Sequence, residues 1–182
     1  LVVGAGSDRV ERFEALPGNG RAIAIVAGCE GAAVACVDRD AAAAAATADA
    51  IVAKGGKACV VVADVGDPDR CRTLVEEAAD KLGAIDGVAL NVGIFLGRKL
   101  AGTSIEEWTR SFEINVRSHA IICTHLLPIL SPGSSIVWAM SAASMAALMP
   151  MPTPGARLAP SYWHPDPRFR SSIGPPKMAD RR

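Results

Sequence analysis

The chain has 182 residues, half of them apolar, and a formal net charge of zero, which together predict one domain with a sizeable core. Zero net charge argues against nucleic acid or an anionic membrane as the main partner. No apolar run reaches the length that spans a membrane. The five cysteines form no C-x-x-C pair, so we expect small buried thiols in a reducing, cytoplasmic setting rather than disulfides.

Apolar strands alternate with helices through the first 140 residues. The predicted strands are near-continuous runs rich in valine and alanine, at residues 1–5, 33–37, 58–63, 86–91 and 134–140. The predicted helices, several with capping residues at their ends, are residues 19–30, 40–54, 68–82 and 105–129. This alternation predicts an α/β fold, a Rossmann-like doubly wound parallel sheet of about five strands with the first strand at its centre.

Composition changes near residue 150, where a proline-rich and arginine-rich segment begins. Eight of the twelve prolines fall between Pro150 and Arg182. A segment of this kind does not recover the entropy lost on ordering. We therefore predict a dinucleotide-binding domain over residues 1–149 and an irregular tail over residues 150–182.

A glycine turn follows the first predicted strand and is interrupted. Gly4, Gly6 and Ser7 are separated by ten residues from Gly18 and Gly20, which open the first helix. Glycines let a backbone approach a pyrophosphate, and a helix N-terminus offers free N–H groups to its charge. The inserted residues 8–17 carry three acids, which weaken phosphate binding by like-charge proximity.

An acid at the end of the second strand predicts which dinucleotide binds. The carboxylate of Asp38 is placed to accept hydrogen bonds from both hydroxyls of an adenosine ribose and to repel a 2′-phosphate. Arg39, the next residue, is the competing feature because arginine pairs with phosphate. The expected cofactor is therefore NAD, with NADP the less favoured alternative.

Five landmarks in chain order resemble the short-chain dehydrogenase/reductase family over residues 1–154. They are the interrupted glycine turn, Asp64-Val65 after the third strand, Asn91 and Gly93 after the fourth, Asn115 in the long helix, and Ser141 after the fifth. The resemblance implies that Asp64 and Val65 contact adenine, that Asn91 and Gly93 bind the cofactor, and that Asn115 and Ser141 are catalytic. The implied activity is hydride transfer between a nicotinamide cofactor and a small alcohol or carbonyl compound, and an oligomer is compatible with it.

One element of the family pattern is missing after Ser141. The family carries Tyr-x-x-x-Lys there, in which lysine lowers the pKa of a proton-donating tyrosine. The only tyrosine of this chain is Tyr162, and Asp166 stands four residues later. We therefore expect a truncated and interrupted family member with impaired turnover. The alternatives are a non-catalytic dinucleotide-binding or partner-binding remnant, or a frame-disrupted product.

Each landmark also has a purely structural interpretation. Asp38 is compatible with a helix cap, Asp64 with a turn cap, Asn91 with a left-handed turn and Asn115 with a surface position. His119 and His125 lie six residues apart in the long helix, not at the spacing of a ligand pair, and we expect surface or partly buried histidines. No metal site is predicted.

Overall fold

The computed structural model describes residues 1–6, 18–94, 96–97 and 102–139, and it contains one parallel sheet of five strands. The strands are β1 (Val2–Val3), β2 (Ala33–Asp38), β3 (Lys57–Val62), β4 (Gly87–Leu90) and β5 (Ser135–Trp138). Their order across the sheet is β3-β2-β1-β4-β5, so β1 lies at the centre. The predicted doubly wound sheet with a central first strand is confirmed.

Five helices connect the strands, each near its predicted position. They are α1 (Asn19–Cys29), α2 (Ala41–Val52), α3 (Pro68–Leu82), α4 (Ile105–Phe112) and α5 (Ser118–Leu126). Three helices begin with a side chain that accepts hydrogen bonds from backbone N–H groups. These caps are Asp40 before α2, Asp67 before α3, and a reciprocal capping box of Ser104 and Glu107 at α4. Among the residues described, no helix combines the length and apolar character needed to cross a bilayer.

The sheet buries a different apolar cluster on each face. Val2, Val34 and Cys36 point to the face that packs against Ala24 of α1 and Ile51 of α2. The next residue of each strand points the other way, so the second cluster joins strand residues such as Val3, Val37 and Leu90 to α3 and α5. This alternation between two covered faces explains why the strands are apolar throughout rather than at every second residue.

The predicted helix over residues 105–129 is interrupted near its middle. A π-helical turn over Glu113–Arg117 separates α4 from α5, and regular helix ends at Leu126. Such turns insert one extra residue into a helix and are frequent at functional sites. Asn115 lies within this turn.

Two expectations about burial are wrong. His119 is only 1% exposed and lies in the core between α5 and β5, where Trp138 contacts it, so it is not a surface or partly buried residue. Cys29 is exposed at the end of α1, whereas Cys36 and Cys71 are buried as predicted and Cys59 and Cys123 are half-buried. All five thiols are free. Ser7, the insertion 8–17, Ser141 and the predicted tail 150–182 lie outside the described residues.

Candidate functional site

The carboxyl ends of the first four strands open into a cleft of about 640 Å³. It lies where the chain turns from β1 towards β2 on one side and β4 on the other, the place where parallel α/β sheets bind ligands. Its walls come from the glycine turn, the start of α1, the ends of β2 to β4 and one side of α4. The lining includes Gly4, Gly6, Gly18, Asn19, Gly20, Asp38, Arg39, Asp40, Asp64, Val65, Asn91, Val92, Gly93, Ile94, Arg110 and Ile114.

The glycine turn bends sharply as it leaves β1. Gly4 has a φ of +81°, a conformation that favours glycine, and a Cβ there would lie 2.9 Å from the Val92 side chain. The N–H groups of Gly4 and Ala5 both donate to the Val37 carbonyl oxygen, at 2.8 and 2.9 Å. The turn is therefore fastened to the end of β2 and tolerates no larger residue at its first glycine.

Helix α1 begins directly against this turn. A Cβ on Gly20 would overlap the carbonyl oxygen of Gly4 and lie 2.7 Å from the amide nitrogen of Asn91. The N-cap residue of α1, Gly18, has no side chain with which to cap the helix, and the first turn contains no acid. A helix end of this kind presents backbone N–H groups and a partial positive charge to the cleft, which suits the phosphates of a nucleotide.

Asp38 joins the glycine turn to the end of β2 through its carboxylate. One oxygen accepts the Gly6 N–H at 2.8 Å, and the other accepts the Asp40 N–H at 3.0 Å. Asp40, not Asp38, caps helix α2. A carboxylate offers about four acceptor positions, and hydrogen bonds between described residues use two of those on Asp38, which also lines the cleft.

Asp64 and Val65 form the opposite end of the cleft, after β3. The Asp64 carboxylate accepts the Gly66 N–H at 2.8 Å, as the turn-cap interpretation expects, and Asp64 also lines the cleft. Val65 is buried, and its carbonyl oxygen accepts the thiol of Cys71 at 3.2 Å. Burial raises the pKa of the Cys71 thiol to about 11, so this thiol stays protonated and keeps donating at neutral pH.

Asn115 uses its side-chain amide to hold the loop that follows β4. Its oxygen accepts the Ile94 N–H and its nitrogen donates to the Ile94 carbonyl oxygen, each at 2.8 Å. This pair of bonds imitates a strand pairing between the π-helical turn and the loop that carries Gly93. Asn115 is half-buried, so the surface interpretation is wrong, and it reaches the cleft through Ile94 rather than by lining it.

The cleft thus brings together nine of the residues singled out from the sequence: Gly4, Gly6, Gly18, Gly20, Asp38, Asp64, Val65, Asn91 and Gly93. Sequence reasoning missed Thr47, a buried residue of α2 whose hydroxyl donates to the Ala5 carbonyl oxygen at 2.9 Å. Its signal is visible in retrospect, since Thr47 is the first non-alanine residue after six alanines in α2. Sequence reasoning also missed Arg110 in the cleft wall.

His119 is the unusual polar residue of the core. Among the described residues, neither of its buried ring nitrogens has a hydrogen-bond partner, and its ring centroid lies 5.0 Å from that of Trp138 in an edge-to-face arrangement. Burial lowers the pKa of His119 to about 4, which keeps the ring neutral. Within the described ranges, no group of three or more histidine, cysteine or acidic side chains is arranged to hold a metal.

Comparison with known proteins agrees with this architecture. A family model described as enoyl-(acyl carrier protein) reductase matches residues 15–156. A 1-deoxy-11-beta-hydroxypentalenate dehydrogenase of Streptomyces arenae is 32% identical over 54% of this chain and 36% of its own length. Versicolorin reductase 1 of Dothistroma septosporum is 32% identical over 66% of this chain and 46% of its own length.

Solved structures give the same result. A putative short-chain dehydrogenase/reductase from Burkholderia xenovorans is 30% identical and superposes with a TM-score of 0.68 over 79% of this chain and 55% of its own. The chain spans about half the length, or less, of these relatives.

Proposed function

Since the chain belongs to the short-chain dehydrogenase/reductase family, we propose that its cleft binds a nicotinamide dinucleotide and that the protein derives from an alcohol or carbonyl oxidoreductase. The observation that carries the proposal is the junction of Gly4, Gly20 and Asp38. Here the start of a helix meets a glycine turn so closely that a single added Cβ would collide. Close backbone approach beside a helix N-terminus is what a pyrophosphate requires.

The residues of the cleft fit the parts of a dinucleotide in order. The N-terminus of α1 would hold the pyrophosphate, and Asp38 would accept bonds from the adenosine ribose. Asp64 and Val65 would contact adenine, as in the family that they resemble. The loop with Asn91 and Gly93, which Asn115 fastens, would lie along the nicotinamide half.

We propose that NAD binds more tightly than NADP. Asp38 is half-buried, and its two committed bonds fix the carboxylate at the place where a ribose would lie. A 2′-phosphate there would meet a fixed negative charge. Arg39 lines the same part of the cleft and is the competing residue, because it can pair with that phosphate.

Calorimetric titration with NADH and NADPH tests this preference. The sharpest variant is Asp38→Asn, which keeps an oxygen acceptor for a backbone N–H while removing the charge. We expect it to weaken NADH binding about tenfold and to narrow the difference between the two cofactors, since a hydrogen bond to a charged group contributes roughly 1.5–3 kcal/mol. Tighter binding of NADPH by the unchanged protein contradicts the proposal, and Arg39→Gln then identifies the residue responsible.

Turnover is the second part of the proposal, and we expect it to be weak. When bound, the nicotinamide accepts or supplies hydride. Ser141 would hydrogen-bond the substrate oxygen, while Asn115, whose amide oxygen and one amide hydrogen are committed to Ile94, would act mainly by fixing the loop. General acid–base catalysis contributes about a hundred- to ten-thousand-fold, and the Tyr-x-x-x-Lys pair that supplies it in the family is missing from the stretch after Ser141.

Absorbance of the reduced cofactor with a panel of alcohols and ketones measures this turnover. Tyr162→Phe is the matched control because it removes only a hydroxyl group. We expect both proteins to show the same low rate. Robust turnover that Tyr162→Phe abolishes means that Tyr162 supplies the proton and contradicts the impaired-catalysis proposal.

The missing Tyr-x-x-x-Lys pair specifically favours a second candidate function, a dinucleotide-binding protein without catalysis. Saturable NADH binding together with no turnover supports that candidate. A frame-disrupted product is distinguished by the coding DNA around codons 8–17 and 154–182. A restored glycine turn or Tyr-x-x-x-Lys motif in another reading frame establishes it.

A further inference from the structure

Arg110 extends from α4 towards the loop that follows β3. Its two terminal guanidinium nitrogens lie 2.5 and 2.7 Å from the position that a Cβ of Gly66 would occupy. Arg110 lines the cleft together with Asp64 and Val65, so its charge stands at the end of the cleft where adenine is expected. The Arg110 side chain of α4 thus lies against the loop after β3, at the residue that follows Asp64 and Val65.

Gly66 makes this approach possible by having no side chain. Its φ lies outside the left-handed region, so its backbone conformation alone does not require glycine. The space that its Cβ would fill is taken by the guanidinium group of Arg110. The absence of a side chain at residue 66 therefore leaves room for Arg110.

The charge of Arg110 is only loosely engaged by the protein. Its nearest carboxylate oxygen, on Glu113, is 3.6 Å away, while the other oxygen of Glu113 is held by Arg117 at 2.9 Å. Within the part of the chain that the structure describes, the guanidinium group donates no hydrogen bond. Between described residues, the five N–H groups of this 44% exposed side chain thus make only the long ion pair with Glu113.

We propose that Arg110 is a positioning residue for the dinucleotide, and that its planar guanidinium covers the adenine base held by Asp64 and Val65. The planar face of a guanidinium stacks on aromatic rings. Its free N–H groups donate hydrogen bonds to ring nitrogens. This inference rests on the proposed function, because it needs an adenine nucleotide in the cleft. It adds a residue on α4, outside the glycine turn and the strand ends, to the determinants of cofactor affinity.

The test measures affinity for the separate halves of the dinucleotide. Calorimetry with ADP-ribose, AMP, 2′,5′-ADP and nicotinamide mononucleotide is compared between the unchanged protein and Arg110→Met, which keeps an unbranched stem of similar length. We expect about fivefold weaker binding of ADP-ribose and AMP, as the partly exposed cation–ring contact suggests, and unchanged binding of nicotinamide mononucleotide. Arg72→Met is the matched control, because Arg72 on α3 pairs with Glu76 away from the cleft.

A double-mutant cycle adds a readout that a merely structural role would not change. Gly66→Ala places a methyl group where the guanidinium lies, so it should reproduce the loss of AMP affinity in the unchanged protein. In the Arg110→Ala variant this space is empty, so adding Gly66→Ala should cause no further loss of AMP affinity. Additive losses contradict the proposal.

The remaining outcomes separate this inference from the proposed function. If the unchanged protein binds none of the probes, the proposed function fails and this inference fails with it. If it binds ADP-ribose and Arg110→Met binds equally well, only the role of Arg110 is overturned. A larger loss for 2′,5′-ADP than for AMP shows a phosphate contact and also overturns the adenine role.

Discussion

The two flanks of the sheet differ in how fully their polar groups are hydrogen-bonded. On the flank of β2 and β3, Asp38 accepts two hydrogen bonds, the Thr47 hydroxyl donates to the Ala5 carbonyl oxygen, and cations of α3 bind outer carbonyl oxygens of β3. On the flank of β4 and β5, His119 and Ser134 have buried polar atoms that find no partner in the part of the chain that the structure describes. The side chains of Val137 and Trp138 on β5 are 59% and 39% exposed.

This difference separates binding from catalysis within one fold. On the flank that would hold adenosine, hydrogen bonds within the protein hold Asp38 and the glycine turn in place before any ligand binds. The flank that leads to Ser141 has buried polar atoms without partners among the described residues. Buried polar groups without partners reduce stability. We therefore expect the first flank to resist change and the second to respond to pH.

The largest effect should come from a change at the junction of the glycine turn and α1, beside the flank of β2 and β3. Gly20→Ala drives a methyl group into the Gly4 carbonyl oxygen, which the backbone can relieve only by separating α1 from the glycine turn. We expect a loss of about 3 kcal/mol in the free energy of unfolding and no measurable dinucleotide binding. Urea denaturation and calorimetry measure the two effects.

Gly87→Ala is the matched control for this variant. A Cβ on Gly87 meets nothing within 4 Å, and its φ lies outside the left-handed region. We expect it to change the free energy of unfolding by less than about 1 kcal/mol. Equal stability of the two variants contradicts the account of the glycine junction.

The second effect is a pH dependence of stability that His119 causes. Its pKa is about 4 in the folded chain and 6.5 when unfolded, so between these values the unfolded state binds more protons. Stability is therefore full above pH 6.5 and falls as the pH drops through about 4, by on the order of 3 kcal/mol. Denaturation curves at several pH values measure this loss.

His119→Leu should remove most of that slope, because it leaves no group to protonate and no unpaired nitrogen. Other carboxyl groups also titrate in this range, so the comparison uses the difference between variant and parent at each pH. His125→Gln, a change in a half-buried histidine of the same helix, should keep the parental slope. Parallel curves for His119→Leu and the parent contradict the assignment.

The smallest effect concerns β3, the strand at the outer edge of the sheet. Lys81 donates to the Val60 carbonyl oxygen at 2.8 Å, Arg70 donates to that of Val62, and Glu77 holds both cations. The salt bridge and hydrogen bond from Lys81 lower the pKa of Glu77. Replacing both cations by methionine should cost about 1 kcal/mol, since such pairs are exposed, and should open β3 to pairing with another chain.

Analytical ultracentrifugation at several protein concentrations detects that pairing. Arg72→Met is the control, because Arg72 bonds only to Glu76 among the described residues and covers no carbonyl group. We expect self-association in the Arg70→Met, Lys81→Met double variant and none in the control. Association in both variants means that loss of charge, not exposure of the edge, causes it.

The sequence predicted the strands, the helices and most of the cleft because these depend on local signals. Continuous apolar runs marked the strands, Asp67-Pro68 marked a helix start, and polar residues after strand ends marked the cleft. The bonds that make the cleft rigid were not predictable in this way. Asp38 bonds to Gly6 across 32 residues, and Asn115 bonds to Ile94 across 21, so both depend on the assembled fold.

The error at His119 has a different cause. His119, Ile122 and Leu126 follow helical spacing on one face of α5, so the buried position was visible in the pattern. The prediction of a surface or partly buried histidine weighed the residue type and left out this spacing. The π-helical turn at Asn115 had no such signal, since the apolar pattern runs through residues 105–129 without a break.

Calorimetric titration with NADH is the direct test of a dinucleotide site at the junction of the glycine turn, α1 and Asp38. We expect saturable binding at one site, competition by ADP-ribose and loss of binding in Gly20→Ala, with Gly87→Ala unchanged. Absence of binding by the unchanged chain contradicts the claim. Undiminished binding by Gly20→Ala contradicts it equally, because the ligand would then lie elsewhere.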